Sequence, residues 1–271
     1  MSNMIAVVLV ASAVMAGMVV AEPEKKAAGD VTADPKGVLL KLIPAKIVVL
    51  TFDDTCMSHL TFVGPLLKKY GFGGTFYVTE AFTDKKMYMS WEQIKELQDM
   101  GFEIGNHSTR HGVFSNMSVE DGIKELMGLD EHCVANKVAK PTTFCWPVYA
   151  VNKGLFPTMI ANGYMFARGG GERPYVPTVD CPFNAPSFTV HDGTLKKKDS
   201  FFNAVKQATP GKMSIFCFHG APDPEHPWVN TSPAAFEECM KYLKDNNYTV
   251  IAMRDIAKYV DAAKAAKELA R

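Results

Sequence analysis

From about residue 45 onward, apolar and polar positions alternate between two periods. AKIVVLTF (45–52) is a short β-branched run bounded by Pro44 and by Asp53-Asp54, which predicts a buried strand. HLTFVGPLLKKYG (59–71) carries apolar residues at helical spacing and closes on Lys-Lys-Tyr-Gly, a helix C-terminal signal. GTFYVT (74–79) predicts a second strand. SWEQIKELQDMG (90–101) opens with Ser90 and Gln93 at capping-box spacing and ends on Gly101, so it predicts a helix. FEIGNHS (102–108) predicts a third strand, with His107 just past its apolar part.

The alternation continues with a long helix near 118–138, a strand TTFCW (142–146), a helix near 153–162 and a strand YMFAR (164–168). Residues 169–200 are rich in Gly and Pro, with PSFTV (186–190) as the candidate strand among them. A helix FFNAVKQA (201–208), a strand MSIFCFH (213–219), a helix SPAAFEECMKYLKDNN (232–247) and a strand YTVIAM (248–253) follow. A terminal helix is expected over about 254–269. Strands alternating with helices pair in parallel through right-handed crossovers. Seven or eight such units predict an α/β fold of (β/α) barrel type over an open sheet. Neither GxGxxG nor GxxxxGK[ST] follows any strand, so nucleotide sites have no support.

Composition narrows the partners. Of 271 residues, 29 are Lys or Arg and 29 are Asp or Glu, so the net charge is zero and a nucleic-acid partner is not expected. MIAVVLVASAVMAGMVV (4–20) has no charge and is followed by Ala21, which predicts a signal peptide over residues 1–21 and a secreted, envelope or periplasmic protein. A retained membrane anchor is the rival for this run; once cleaved, the protein keeps no lasting membrane contact. Residues 22–40 read as a flexible lead, and 41–271 as one catalytic domain. The 6 cysteines (Cys56, Cys133, Cys145, Cys181, Cys217 and Cys239) include no CxxC pair, which excludes zinc-ribbon spacing, and no disulfide is assigned. Cys217 reads as a small buried strand residue.

In parallel α/β folds the chemistry sits at the C-terminal ends of strands. Here the first strand ends in Asp53-Asp54, the third in His107 with His111 beyond it, and the strand at 213–219 in His219-Gly220. Two neutral imidazoles and one carboxylate suit Zn²⁺ and related divalent ions, and a bound cation lowers the pKa of nearby water. Adjacent acids repel if both face inward unpaired, and one as ligand with the other as base resolves this. His219 is then placed to protonate a leaving group, and ligand, base and acid together make a hydrolase.

VVLTFDD (48–54), GNHSTRH (105–111) and FHG (218–220), in this order, resemble the polysaccharide deacetylases of the nodulation-factor deacetylase type, carbohydrate esterase family four. The resemblance spans roughly residues 45–255. It implies a distorted (β/α) barrel with an Asp-His-His metal site, usually zinc, and removal of N- or O-acetyl groups from chitin, chito-oligosaccharides, peptidoglycan or xylan. It implies Asp53 as catalytic base, Asp54, His107 and His111 as metal ligands, His219 as acid, and the Val148 backbone amide as oxyanion donor. Ser108 is expected to steady the metal loop.

The match is incomplete. Cys145 stands where the family has an Arg that pairs with the catalytic Asp, Thr55 follows TFDD in place of Gly, and the family's Asp-plus-Trp motif is not evident in 169–200. Arg168 or Arg173 is expected to replace the missing Arg. Trp228, on the Pro-rich loop 219–230, either stacks on a sugar ring or packs the loop. His59 is expected at a helix start, and His191 and Asp192 in a turn. Two other functions stay open: hydrolysis of a cyclic amide on the same metal, and a non-catalytic carbohydrate-binding relative disabled by Cys145.

Overall fold

β-branched and aromatic runs too short to be helices form eight parallel strands, in a computed structural model that describes residues 34–197 and 200–270. The expected signal segment 1–21, and residues 22–33 of the expected lead, lie outside the described residues. The strands are β1 (Ile47–Phe52), β2 (Thr75–Val78), β3 (Glu103–Asn106), β4 (Thr143–Cys145), β5 (Phe166–Arg168), β6 (Phe188–Thr189), β7 (Ser214–Phe218) and β8 (Thr249–Ile251). Their order is β5-β4-β3-β2-β1-β7-β6, and β8 also pairs with β1.

This is the expected barrel, distorted in two places. One edge of β1 is shared: Ile47–Val49 pair with β8, whereas Thr51 and Phe52 pair with β2. Gly73 lets the chain enter β2 past β8, because a Cβ there would lie 2.8 Å from the Ala252 nitrogen. Closure between β5 and β6 is reduced to one bridge, where Ala185 meets Arg168 and exchanges two 2.8 Å hydrogen bonds with Ala167 and Gly169.

The helices are α1 (Gly64–Tyr70), α2 (Trp91–Asp99), α3 (Val119–Ala135), α4 (Phe156–Ala161), α5 (Asp192–Leu195), α6 (Ser200–Lys206), α7 (Pro233–Asp245) and α8 (Ala262–Leu269). The Ser90/Gln93 capping box at the start of α2 forms as expected. The expected continuous helix 254–269 is instead a 3₁₀ segment, Met253–Lys258, followed by α8. The break falls where buried Val260 pairs with Leu39 and the Asp261 carboxylate accepts the Lys264 N–H as a new N-cap. Val38 is fully buried and Leu40 donates to the Tyr259 carbonyl, so residues 34–40 belong to the packed body and are not a lead. Among the described residues no helix is long and apolar enough to cross a membrane.

Strand parity sorts the core. Val48, Leu50 and Phe52 of β1 pack outward with Phe76, Phe216 and Phe218, whereas Ile47 and Val49 pack with Ile215, Met213 and Phe166. Phe52 sits just below the functional end of β1, stacked on Phe76 at 4.9 Å and on Phe218 at 5.7 Å. Phe52→Ala is expected to cost about 3–5 kcal/mol, the range for truncating a buried aromatic, read as a lower urea midpoint at unchanged slope.

Candidate active site

Extending the inner parity of each strand past its end assembles the site: Asp53 from β1, His107 from β3, Cys145 from β4, Arg168 from β5, and Cys217 and His219 from β7. Asp54, the next residue in the chain, would point the other way if the strand continued. Its φ of 72° turns it onto the rim instead. Thr55 follows with φ 58°, an unfavourable conformation for a β-branched residue at the position expected to hold Gly. Its hydroxyl accepts the Thr79 N–H at 2.9 Å, which ties the strained turn to the end of β2. Ser108, His111, Val148 and Tyr149 are likewise left-handed, so strained backbone rings the site.

Asp54, His107 and His111 offer ligand atoms that all lie within 4.8 Å of one another. Asp54 Oδ1 is 3.5 Å from His107 Nε2 and 3.3 Å from His111 Nε2. The surroundings fix each ligand. His107 Nδ1–H donates to the Cys145 carbonyl at 2.9 Å, which leaves the Nε2 lone pair facing the site. His111 donates its backbone N–H to Ser108 Oγ at 3.0 Å, the steadying contact expected of Ser108. Glu125 of α3 accepts from the Thr109 hydroxyl at 2.6 Å and the Arg110 N–H at 2.7 Å, and it pairs with the Arg110 guanidinium, pinning the loop from below.

Protonation states suit ligand duty at Asp54 and His111 and oppose it at His107. Burial pushes the Asp54 carboxyl up, but the neighbouring His107 imidazole, with His219 and His111, brings it below the usual carboxylate range. Burial, with His107 beside it, pushes His111 down to about 4, so its imidazole is neutral at pH 7. Burial lowers His107 as well, but Asp53 and Asp54 outweigh it and hold that imidazole above its ordinary value. A proton would therefore compete with a cation at His107, so any cation held there is expected to bind more weakly as pH falls. The set fits a divalent cation: Asp54 Oδ1 is buried without a hydrogen-bond partner among the described residues, and three N/O donors leave coordination positions open. Asp53, His107 and Cys145 also lie within 4.8 Å of one another, but the buried Arg168 charge stands against them and disfavours a second cation there.

Asp53 is differently furnished. Its Oδ2 forms an ion pair with Arg168 Nη2, and the Cys145 and Cys217 thiols each lie 3.5 Å from the same oxygen. Of the two candidate arginines, Arg168 is the one that reaches Asp53; Arg173 turns away to Asp180, 2.7 Å from its Oδ1. The Arg168 guanidinium lies between the rings of Tyr77 and Tyr149, at 5.8 and 5.5 Å. Gly105 makes room for this stack, since a Cβ there would lie 2.4 Å from the Tyr77 ring. Burial raises the Asp53 carboxyl, but Arg168, then His107 and His219, lower it further, so it stays ionised. Its Oδ1 is buried with no partner among the described residues, a free acceptor beside the ligand cluster.

His219 Nε2 is 3.6 Å from Asp54 Oδ2, on the side away from His107 and His111. Its carbonyl accepts from His59 Nε2 at 3.2 Å, so His59 is a buried prop at a helix start, as expected. His191 caps α5, and Asp192 accepts from Ser232, so both are structural.

Asp53, Asp54, His107, His111 and His219 line a cleft of about 410 Å³ that Val148, Tyr149 and Trp228 also border. Trp228 is 67% exposed, its ring 5.3 Å from that of His226 on the cleft wall, and Val148 lies on the same wall. One further imidazole enters from the Pro-rich loop: His226 Nδ1 lies 3.8 Å from Asp54 Oδ2, backed by Asp223. The signal available for it was the Asp-x-x-His spacing of 223 and 226, four residues after His219. A hollow of about 490 Å³ at the other end of the barrel, lined by Leu39, Leu42, Ile43 and Tyr259, offers no comparable chemistry.

Residues 43–167 match the family described as polysaccharide deacetylase. The chain is 30% identical over 135 residues to a peptidoglycan-N-acetylglucosamine deacetylase of Bacillus cereus, covering 48% of this chain and 61% of the relative. It is 27% identical over 120 residues to YxkH of Bacillus subtilis, a polysaccharide deacetylase by description only, covering 44% and 43%. The chain thus spans less than two thirds of the length of either relative. Among solved structures, the Xyl-CE4 domain of a multidomain xylanase from the hindgut metagenome of Trinervitermes trinervoides superposes with a TM-score of 0.57 at 20% identity, covering 79% of this chain and 90% of that one. The peptidoglycan deacetylase PdaC of Bacillus subtilis gives 0.53 at 21%, covering 79% and 92%. At these identities the two structures establish a shared fold.

Proposed function

We propose that the protein, whose residues 43–167 match the polysaccharide deacetylase family, is a metal-dependent hydrolase that removes N- or O-acetyl groups from a carbohydrate, with Zn²⁺ as its cation. The observation that carries this is the convergence of Asp54, His107 and His111 within 4.8 Å, flanked by the unpartnered Asp53 Oδ1 and by His219. The cation, when bound, supplies Lewis acidity that makes water a nucleophile at neutral pH.

The chain's own residues do the rest. Asp53, held ionised by Arg168, takes the proton of the attacking water at Oδ1. His219, across Asp54, delivers a proton to the departing amine or alcohol. The Val148 amide, on the cleft wall, donates to the developing oxyanion. Trp228 offers a flat apolar face to a pyranose ring. Arg168 carries the charge that Cys145 lacks, which favours catalysis over carbohydrate binding alone. An exported location is part of the same proposal and rests on the apolar run 4–20.

The name of the Bacillus cereus relative makes N-acetylated glycans the first substrates to try. Acetate release is to be measured on chito-oligosaccharides, peptidoglycan fragments and acetylated xylan. Release from at least one, abolished by a chelator and restored by Zn²⁺, is the expected result. Release that survives metal stripping, or none from all three, would overturn the proposal.

A further inference from the structure

The loop after β7 folds back so that His226 faces two carboxylates at once. Its Nδ1 is 3.8 Å from Asp54 Oδ2 and 3.4 Å from Asp223 Oδ2. The nitrogen is buried, and it forms no hydrogen bond among the described residues. Its other ring nitrogen, Nε2, lies 3.4 Å from the Tyr88 hydroxyl. A hydroxyl can donate to an imidazole nitrogen, whereas two carboxylates can only accept, so the tautomer that serves both sides carries its proton on Nδ1.

Asp223 is built in with equal care. It is 2% exposed, its Oδ1 accepts the His226 backbone N–H at 3.0 Å, and its own N–H donates to Asn230 Oδ1 at 2.7 Å. Phe82 and Trp228 pack against the His226 ring, each 5.3 Å away between centroids. The imidazole is thus fixed in place by its own loop, with one edge left for Asp54.

We propose that His226 is a positioning residue for the metal ligand Asp54, its Nδ1–H linking the Asp54 and Asp223 carboxylates. Asp54 has one oxygen, Oδ1, turned to His107 and His111, and the other, Oδ2, turned to His219 and His226. A carboxylate rotates about its last bond unless both oxygens are held. Holding Oδ2 keeps Oδ1 aimed at the ligand cluster, the service that outer partners perform for metal-binding carboxylates. Because it rests on Asp54 as a ligand, the test reads metal affinity and not activity.

Zn²⁺ affinity is measured by competition with a chromophoric chelator, and the Co²⁺ form by visible absorption. The proteins compared are wild type, His226→Ala, Asp223→Asn, His226→Asn and His226→Gln, each checked for an unchanged melting temperature. His226→Ala is expected to bind Zn²⁺ about 10–100-fold more weakly, and Asp223→Asn to fall between it and wild type. Asn places its amide N–H where Nδ1–H stood, so His226→Asn recovers much of the affinity, whereas Gln, which mimics Nε2, does not. Wild-type affinity in His226→Ala, or equal weakening in the Asn and Gln variants, overturns the positioning role while leaving the metal site intact. A wild-type protein that binds neither Zn²⁺ nor Co²⁺ overturns the metal site itself, and this inference with it.

Discussion

Replacing Asp53 with Asn is expected to lower turnover of the acetylated substrate by about 10²–10⁴-fold, the range for removing a general base, while Zn²⁺ binding persists. The two effects separate because Asp53 and Asp54, adjacent in the chain, are aimed differently. Asp54 Oδ1 faces His107 and His111, whereas Asp53 Oδ2 faces Arg168 and leaves Oδ1 free. An amide keeps the shape of Asp53 but accepts no proton. It also leaves Arg168 buried without a counter-charge, so a lower melting temperature should accompany the loss of rate. Single-turnover acetate release read beside chelator competition checks both. Near-wild-type turnover in Asp53→Asn would remove this residue from the chemistry.

Arg168→Ala is expected to destabilise the fold by about 3–5 kcal/mol, because it strands one member of a buried ion pair. The guanidinium is fully buried and lies between two tyrosine rings, so the loss includes packing as well as charge. Deacetylation should slow by well over tenfold, and the pH dependence should move in a defined direction. In the wild type, Asp53 lies below its unfolded value, so its contribution to stability is present above that value and is lost as pH falls through the folded one. Without Arg168 the burial effect, the largest acting on Asp53, pushes the carboxyl upward. The acid limb of kcat/KM then shifts to higher pH, and Asp53 begins to disfavour the folded state as pH rises through its ordinary range. Urea unfolding at several pH values and the pH–rate profile together test this. The double variant Arg168→Ala, Cys145→Arg returns a guanidinium from the neighbouring strand, since β4 and β5 pair Cys145 directly with Arg168. Partial recovery of rate is expected from it, and none would mean that the charge must enter from β5.

The gap at Cys145 was legible in the sequence, and its filling only in part. Arg168 and Arg173 are candidates five residues apart, separated in sequence only by the strand-end position of Arg168. Parity on β5 turns Arg168 into the barrel, while Arg173 lies in the loop beyond and reaches Asp180. The strand ends themselves were readable, because β-branched runs closing on Asp-Asp, Asn-His and His-Gly name both the element and the group it delivers. So was the capping box at Ser90 and Gln93. The terminal helix was misread because its 3.6-residue pattern continues across Val260, whose pairing with Leu39 is a contact some 220 residues distant in the chain. The packing of residues 34–40 was missed for the same reason, since their partners Tyr259 and Val260 lie at the other end.

The sequence by itself determined the alternation of elements and the residue types at their ends, because helical and strand periods and turn chemistry act over a few neighbours. Only the tertiary structure decided which side chains share a point in space. A φ of 72° at Asp54 swings one carboxylate out of the strand's alternation, barrel parity selects Arg168 to face Asp53, and a returning loop brings His226 onto Asp54. Each of these depends on the relative placement of strands whose contacts are long-range, and no local spacing encodes that placement.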